Sequence, residues 1–172
     1  MPLFKEKFGL TGSVISAVDL IKGIAKIIGL VPIKVPGATG YYDTDYEAKA
    51  KYAIESLKDK DFVYVHVEAP DEAGHNGDIR AKITAIENFD KFIVGGFLKH
   101  FSDKSKVRML VLPDHATPIS IRTHSDEPVP FVMYGKDIEV SRTKVFSELA
   151  AAGADLVFNT GSELTEYLLK KV

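Results

Sequence analysis

The chain of 172 residues contains no cysteine, which excludes both a disulfide framework and a thiolate metal site. It contains no glutamine either, and its asparagines are Asn76, Asn88 and Asn159. Few thermolabile amides beside many Lys and Glu is a thermophile pattern, so a high thermal midpoint is expected. Neither sign of charge dominates: 22 Lys+Arg stand against 24 Asp+Glu, a net charge of −2. That balance gives no electrostatic footprint for nucleic acid. A bilayer span of about 20 predominantly apolar residues is also missing. The most apolar stretch, SVISAVDLIKGIAKIIGLV at 13–31, is interrupted by Asp19, Lys22 and Lys26, and the same charges break any export-signal core. With neither membrane nor export signal, a cytoplasmic protein is expected.

What is present describes a packed globular chain, 45% apolar, 27% charged and 10% aromatic, long enough for one domain with a sizeable core. In the 13–31 stretch the charged residues fall three and four apart, opposite Val14, Val18, Ile21, Ala25 and Ile28. This spacing predicts an amphipathic helix ended by Gly29. Leu30–Val35 reads as a short strand. Thr44 and Glu47 have capping-box spacing, so a helix to about Leu57 is expected. FVYVHVEAP at 62–70 alternates like a strand, and Ile79, Ile83, Ile86, Ile93 and Phe97 space out a long helix. VRMLVL at 107–112 reads as a strand buried on both faces, 130–134 as a fourth and 157–158 as a fifth. Helices are expected around 144–152 and from Ser162, the latter with Thr160 and Glu163 at capping-box spacing. Alternating strands and helices imply an α/β fold of three layers, a mostly parallel sheet flanked by helices.

In such sheets ligands collect beyond the carboxyl ends of the strands. The strand at 62–70 runs into Asp71 and His75, that at 107–112 into Asp114 and His115, and His124 follows in the next loop. Neutral imidazole with carboxylate suits borderline divalent ions such as Zn²⁺ and Mn²⁺. Five ligands exceed one tetrahedral site and point to two metals, an arrangement common in phosphoryl transfer. The other histidines read as structural: His66 as a packed or ligand-supporting group, His100 as a cation at a helix end. Gly37–Gly40, GATG, lacks the phosphate-loop pattern and reads as a turn. Lys82, Glu87 and Asp90 read as a solvated helix face. Arg122 is a candidate for gripping an anionic substrate.

VHVEAPDEAGHNGD, LPDHATP and RTHSDEPVPFVMYG, in that order, resemble the carboxyl-terminal part of cofactor-independent phosphoglycerate mutases, closest to the archaeal type. Gly12–Gly40 and YYDTDYEAKA also look like that family, so the resemblance spans roughly residues 8–135. It implies an alkaline-phosphatase-like domain, present here as its carboxyl-terminal part over 1–172, without the amino-terminal part and the inserted domain. It implies interconversion of 3-phosphoglycerate and 2-phosphoglycerate, in glycolysis or gluconeogenesis, through a phosphoserine at a two-metal site. Asp71, His75 and His124 then correspond to ligands of one metal, and Asp114 and His115 to part of the other's shell. The metals implied are two divalent ions, Mn²⁺, Zn²⁺, Co²⁺ or Mg²⁺, with at least one site largely retained.

In that family an Asp and the nucleophilic Ser come from the amino-terminal part. Ser13, Ser16 and Ser125 do not stand in the nucleophile's context, so no catalytic residue is assigned here, and negligible mutase activity is expected of the chain alone. Loss of half a sheet domain would expose apolar surface, so a homo-oligomer or a complementing amino-terminal segment is expected, with a small phosphorylated substrate. Two other readings compete: a small phosphatase using metal-bound hydroxide, and a non-catalytic metal-binding subunit paired with a separate chain.

Overall fold

Gly12–Ile15 forms a strand, β1, with every residue buried. Helical spacing therefore misleads at its first turns. The β-branched pair Val14 and Ile15 sits between two neighbours in a three-stranded parallel sheet, ordered β2-β1-β3, with β2 at Val31–Pro32 and β3 at Phe62–Val65. In the computed structural model, which describes residues 1–169, the chain forms two compact units. One comprises residues 1–100 and 119–123, the other 101–118 and the described residues from 124 onward.

In the first unit α1 (Phe4–Phe8) precedes β1, and Phe4 packs against Phe62 with ring centroids 5.0 Å apart. The helix expected from Ser13 begins at Asp19 and ends at Ile27 (α2), its first turn closed by an Asp19–Lys22 ion pair of 2.8 Å. Helix α3 (Tyr46–Ser56) covers one sheet face. Ala53 and Ile15 are fully buried there with Val63 and Val65 against them, and Ser13 Oγ meets Ser56 Oγ at 2.7 Å. After β3 come α4 (Ala69–Asn76) and α5 (Ile79–Asn88). A π-helical turn, Phe89–Val94, then joins α5 to α6 (Gly95–His100). A π turn takes one extra residue, so Ile93 lines up with buried Ala85 rather than with Ile86. This is why Ile93 is buried while Ile79, Ile83 and Ile86 stay exposed.

The second unit holds β4 (Arg108–Val111) and β5 (Val132–Gly135) in an antiparallel pair, Met109 opposite Tyr134 and Leu110 opposite Met133. The parallel expectation fails here because a parallel return needs a crossover of a dozen or more residues, usually helical, and 112–131 contains no helix. Nor is β4 buried on both faces; all four residues are half-buried. Two short helices follow, α7 (Glu148–Ala151) and α8 (Gly161–Leu169). Residues 157–158 are not a strand. Among the described residues no helix is long and apolar enough to cross a membrane.

Candidate metal centre

Helix α4 starts where β3 ends, so its first turn lies at the carboxyl edge of the parallel sheet. Asp71 and His75 are one helical turn apart and share a face. His75 Nε2 lies 3.4 Å from Asp71 Oδ2, both side chains partly shielded from solvent. Two ligand atoms on one tetrahedral ion, each about 2.05 Å from it, stand about 3.3 Å apart. The pair is already spaced to share an ion.

The opposite ring nitrogen is also fixed. His75 Nδ1 donates to the carbonyl of Arg122 at 3.0 Å, which selects the tautomer with a free lone pair on Nε2. Arg122 reaches that position in a left-handed conformation, φ 53°. Its guanidinium lies over Gly77, the residue that ends α4 with φ +68°; a Cβ there would stand 2.5 Å from Arg122 Nε. Arg122, expected to hold substrate, thus acts through its main chain on a predicted ligand, a role its identity in the sequence could not reveal. Asn76, beside Gly77, donates to Tyr42 Oη at 3.0 Å, and Tyr41 stacks on Tyr42 with centroids 4.1 Å apart.

Just ahead of α4 the chain meets a group that the sequence reading passed over. Lys49, on α3, is 1% exposed, and its Nζ donates to the carbonyl of His66 at 3.1 Å. Burial pushes its ammonium down to about 8, against the opposing pull of the Glu68 carboxylate. Its signal was present: Tyr46, Lys49, Ala50 and Ala53 occupy one helical face, and all four are buried. His66 Nδ1 lies 3.4 Å from both Glu68 Oε2 and Ser16 Oγ.

In the second unit a bridge between Ala116 and Ser125, with Ser125 N donating to Ala116 O at 3.0 Å, brings His115 and His124 side by side. Their ring centroids are 3.8 Å apart. His115 Nδ1 lies 3.2 Å from the hydroxyl of buried Thr117, while Nε2 stands 3.6 Å from Asp114 Oδ2. Asp114 Oδ1 also accepts from the His115 backbone N–H at 3.1 Å. As with His75, one nitrogen is engaged by the protein and the other faces a carboxylate. Each unit therefore carries an imidazole–carboxylate pair of the kind that binds a divalent ion.

Residues 1–163 match the Metalloenzyme superfamily, and the chain belongs to it. Two of its relatives are of one kind. The probable 2,3-bisphosphoglycerate-independent phosphoglycerate mutase of Geobacter sulfurreducens is 49% identical over 172 residues, 99% of this chain and 43% of its own. A second, 2,3-bisphosphoglycerate-independent phosphoglycerate mutase 2 of Methanothermobacter thermautotrophicus, is 51% identical over 156 residues, 91% of this chain and 39% of its own. The chain thus spans about two fifths of the length of these curated relatives. Among solved structures, the PH0037 protein of Pyrococcus horikoshii superposes with a TM-score of 0.84 at 36% identity, over 89% of this chain and 46% of that one. The cofactor-independent phosphoglycerate mutase of Thermoplasma acidophilum shares the fold, with a TM-score of 0.69 at 24% identity over 91% of this chain and 35% of its own. The expected fold class, α/β with a parallel sheet flanked by helices and alkaline-phosphatase-like, is borne out.

Proposed function

We propose that this chain carries metal-ligating machinery of a cofactor-independent phosphoglycerate mutase, acting on small phosphorylated glycerates. The observation that carries the reading is the Asp71–His75 pair, with Nε2 and Oδ2 3.4 Å apart and the tautomer held by the Arg122 carbonyl. Asp71, His75 and His124 hold one divalent ion; Asp114 and His115 hold part of the shell of a second. The adjacent rings of His115 and His124 suit ions about 3.5–4 Å apart, as in two-metal phosphoryl-transfer sites. When bound, the ions would neutralise and orient the phosphoryl group. The chain's own groups keep the ligands placed: the Arg122 carbonyl fixes the His75 ring through Nδ1, with Nε2 turned toward the Asp71 carboxylate. The Arg122 guanidinium, exposed beside Gly77, is the candidate grip for the substrate's phosphate or carboxylate.

The nucleophilic serine and remaining ligands of such an enzyme are not assigned to residues of this chain. The 172 residues by themselves therefore do not interconvert phosphoglycerates, and a complementing amino-terminal segment restores the reaction in the cytoplasm. The test is calorimetric titration with Mn²⁺. One site is expected to bind tightly and the second weakly, because the first has three proposed ligands here and the second two. His75→Ala should weaken the tight site at least tenfold, and acidification should weaken it because protons compete for the imidazoles. Failure of the unsubstituted chain to bind Mn²⁺ or Zn²⁺, or two equivalent tight sites, would overturn the assignment.

A further inference from the structure

A fully buried amine beside the strand ends needs a reason, because burying an ion costs several kcal/mol that pairing repays only with good geometry. Lys49 reaches one backbone acceptor, the His66 carbonyl. The His66 peptide is the last that the sheet holds, its N–H donating to Ile15 O at 2.8 Å. Beyond it the chain leaves the sheet, and the carbonyl of Glu68 opens α4 by accepting from the backbone N–H groups of Asp71 and Glu72, at 2.9 and 3.1 Å. Lys49 therefore pins one end of a two-residue strap whose other end holds the backbone of Asp71. Glu68 supplies the charge opposite Lys49 and also meets the His66 ring. The backbone at both ends of the strap is fixed, one end by α3 and β1 and the other by α4 itself.

We propose that Lys49 is a positioning residue for the metal-ligand helix: by holding the His66 carbonyl, and Glu68 by charge, it sets the entry of α4 and so the place of Asp71 relative to His75. This rests on the metal-centre reading above, yet one of its readouts does not need a metal. A ligand helix displaced by even 1 Å loses the spacing that two atoms on one ion require, which makes affinity the sensitive observable.

The experiment compares the full chain with Lys49→Met, which keeps the volume and removes the donor and the charge. Calorimetry with Mn²⁺ reads ligand placement; amide hydrogen exchange over residues 67–72 reads the helix entry; urea unfolding at pH 7 reads global stability. The expected result is a split. Mn²⁺ affinity falls at least tenfold and exchange at Asp71 and Glu72 quickens tenfold or more, while the unfolding midpoint stays or rises, because Met keeps the volume and removes an ammonium whose burial outweighs its attraction to Glu68. A merely structural lysine would instead lower the midpoint and leave Mn²⁺ affinity intact. Affinity within twofold and unchanged exchange would overturn the proposal. If the unsubstituted chain binds no Mn²⁺, the metal-centre reading fails, and exchange alone decides on Lys49. Lys49→Gln replaces the Met variant if that one does not fold; if neither folds, the fold itself depends on Lys49 and the positioning role is overturned.

Discussion

A single backbone angle illustrates how tightly the α4 end is specified. Gly77 has φ +68° and carries the Arg122 guanidinium over its Cα. Gly77→Ala should lower stability by about 1–2 kcal/mol, the cost of a left-handed residue with a Cβ. It should also loosen Arg122, whose carbonyl holds His75. Gly23→Ala is the control: in α2 its Cβ meets nothing within 4 Å, and it should raise stability by about 0.5–1 kcal/mol. Urea midpoints of the two variants must move in opposite directions. Lys49 gives a pH signature at the same scale. Its pKa is about 8 folded against an ordinary 10.5, so the folded state binds fewer protons between those values and stability rises with pH there. Glu68 is the charged group that opposes the shift. Below pH 8 the burial penalty is fully present; by pH 10.5 about 3 kcal/mol of it is relieved. The advantage of Lys49→Met over the unsubstituted chain in urea unfolding should therefore shrink by that amount between pH 7.5 and 10.5.

Elements were legible where local chemistry and packing agree. The capping box expected at Thr160 and Glu163 is formed: Glu163 N–H donates to Thr160 Oγ1 and Thr160 N–H to Glu163 Oε2, each at 3.2 Å. The same spacing at Thr44 and Glu47 misplaced the cap by one residue. Thr44 is buried and accepts from Thr39 N–H, while Asp45 caps α3 by accepting from Ala48 N–H at 2.8 Å. Asp45→Ala should cost about 1 kcal/mol, read as a lower urea midpoint with the far-UV signal of the folded state retained. Periodicity misled where a neighbour chose the outcome. Val14 and Val18 fit a helical stripe, yet β1 is a strand because β2 and β3 flank it on both sides, a fact outside any local window. The imidazole–carboxylate pairs were legible for the opposite reason: Asp71 and His75 fall on the helix that follows β3, and Asp114 and His115 in the loop that follows β4. Lys49 and the Arg122 carbonyl were not, because one acts from a helix face and the other through a peptide group common to all residues.

Across the whole molecule, the apolar surface left in solvent is patterned. On α2, Leu20, Ile24 and Ile27 are 71%, 45% and 66% exposed, and Val31 on the edge strand β2 is 50% exposed. On α5, Ile79, Ile83 and Ile86 add a second stripe. Single exposed hydrophobes are ordinary, but stripes beside an unpaired strand edge favour association. The chain accounts for 43% of the Geobacter relative's length. Alone, the chain should self-associate at tens of micromolar in sedimentation velocity, and Leu20→Lys with Ile27→Lys should return it to monomer without loss of Mn²⁺ binding, since α2 carries none of the proposed ligands. A stable monomer of the unsubstituted chain at that concentration would mean that these faces tolerate water. Association that survives the α2 lysines but yields to Ile83→Lys would move the sticky surface to α5. If an amino-terminal segment taken from such a relative both dissolves the self-association and restores mutase activity, one segment covers these faces and supplies the proposed nucleophile. Restored activity with self-association unchanged would separate the two, leaving the stripes to contacts between copies of this chain.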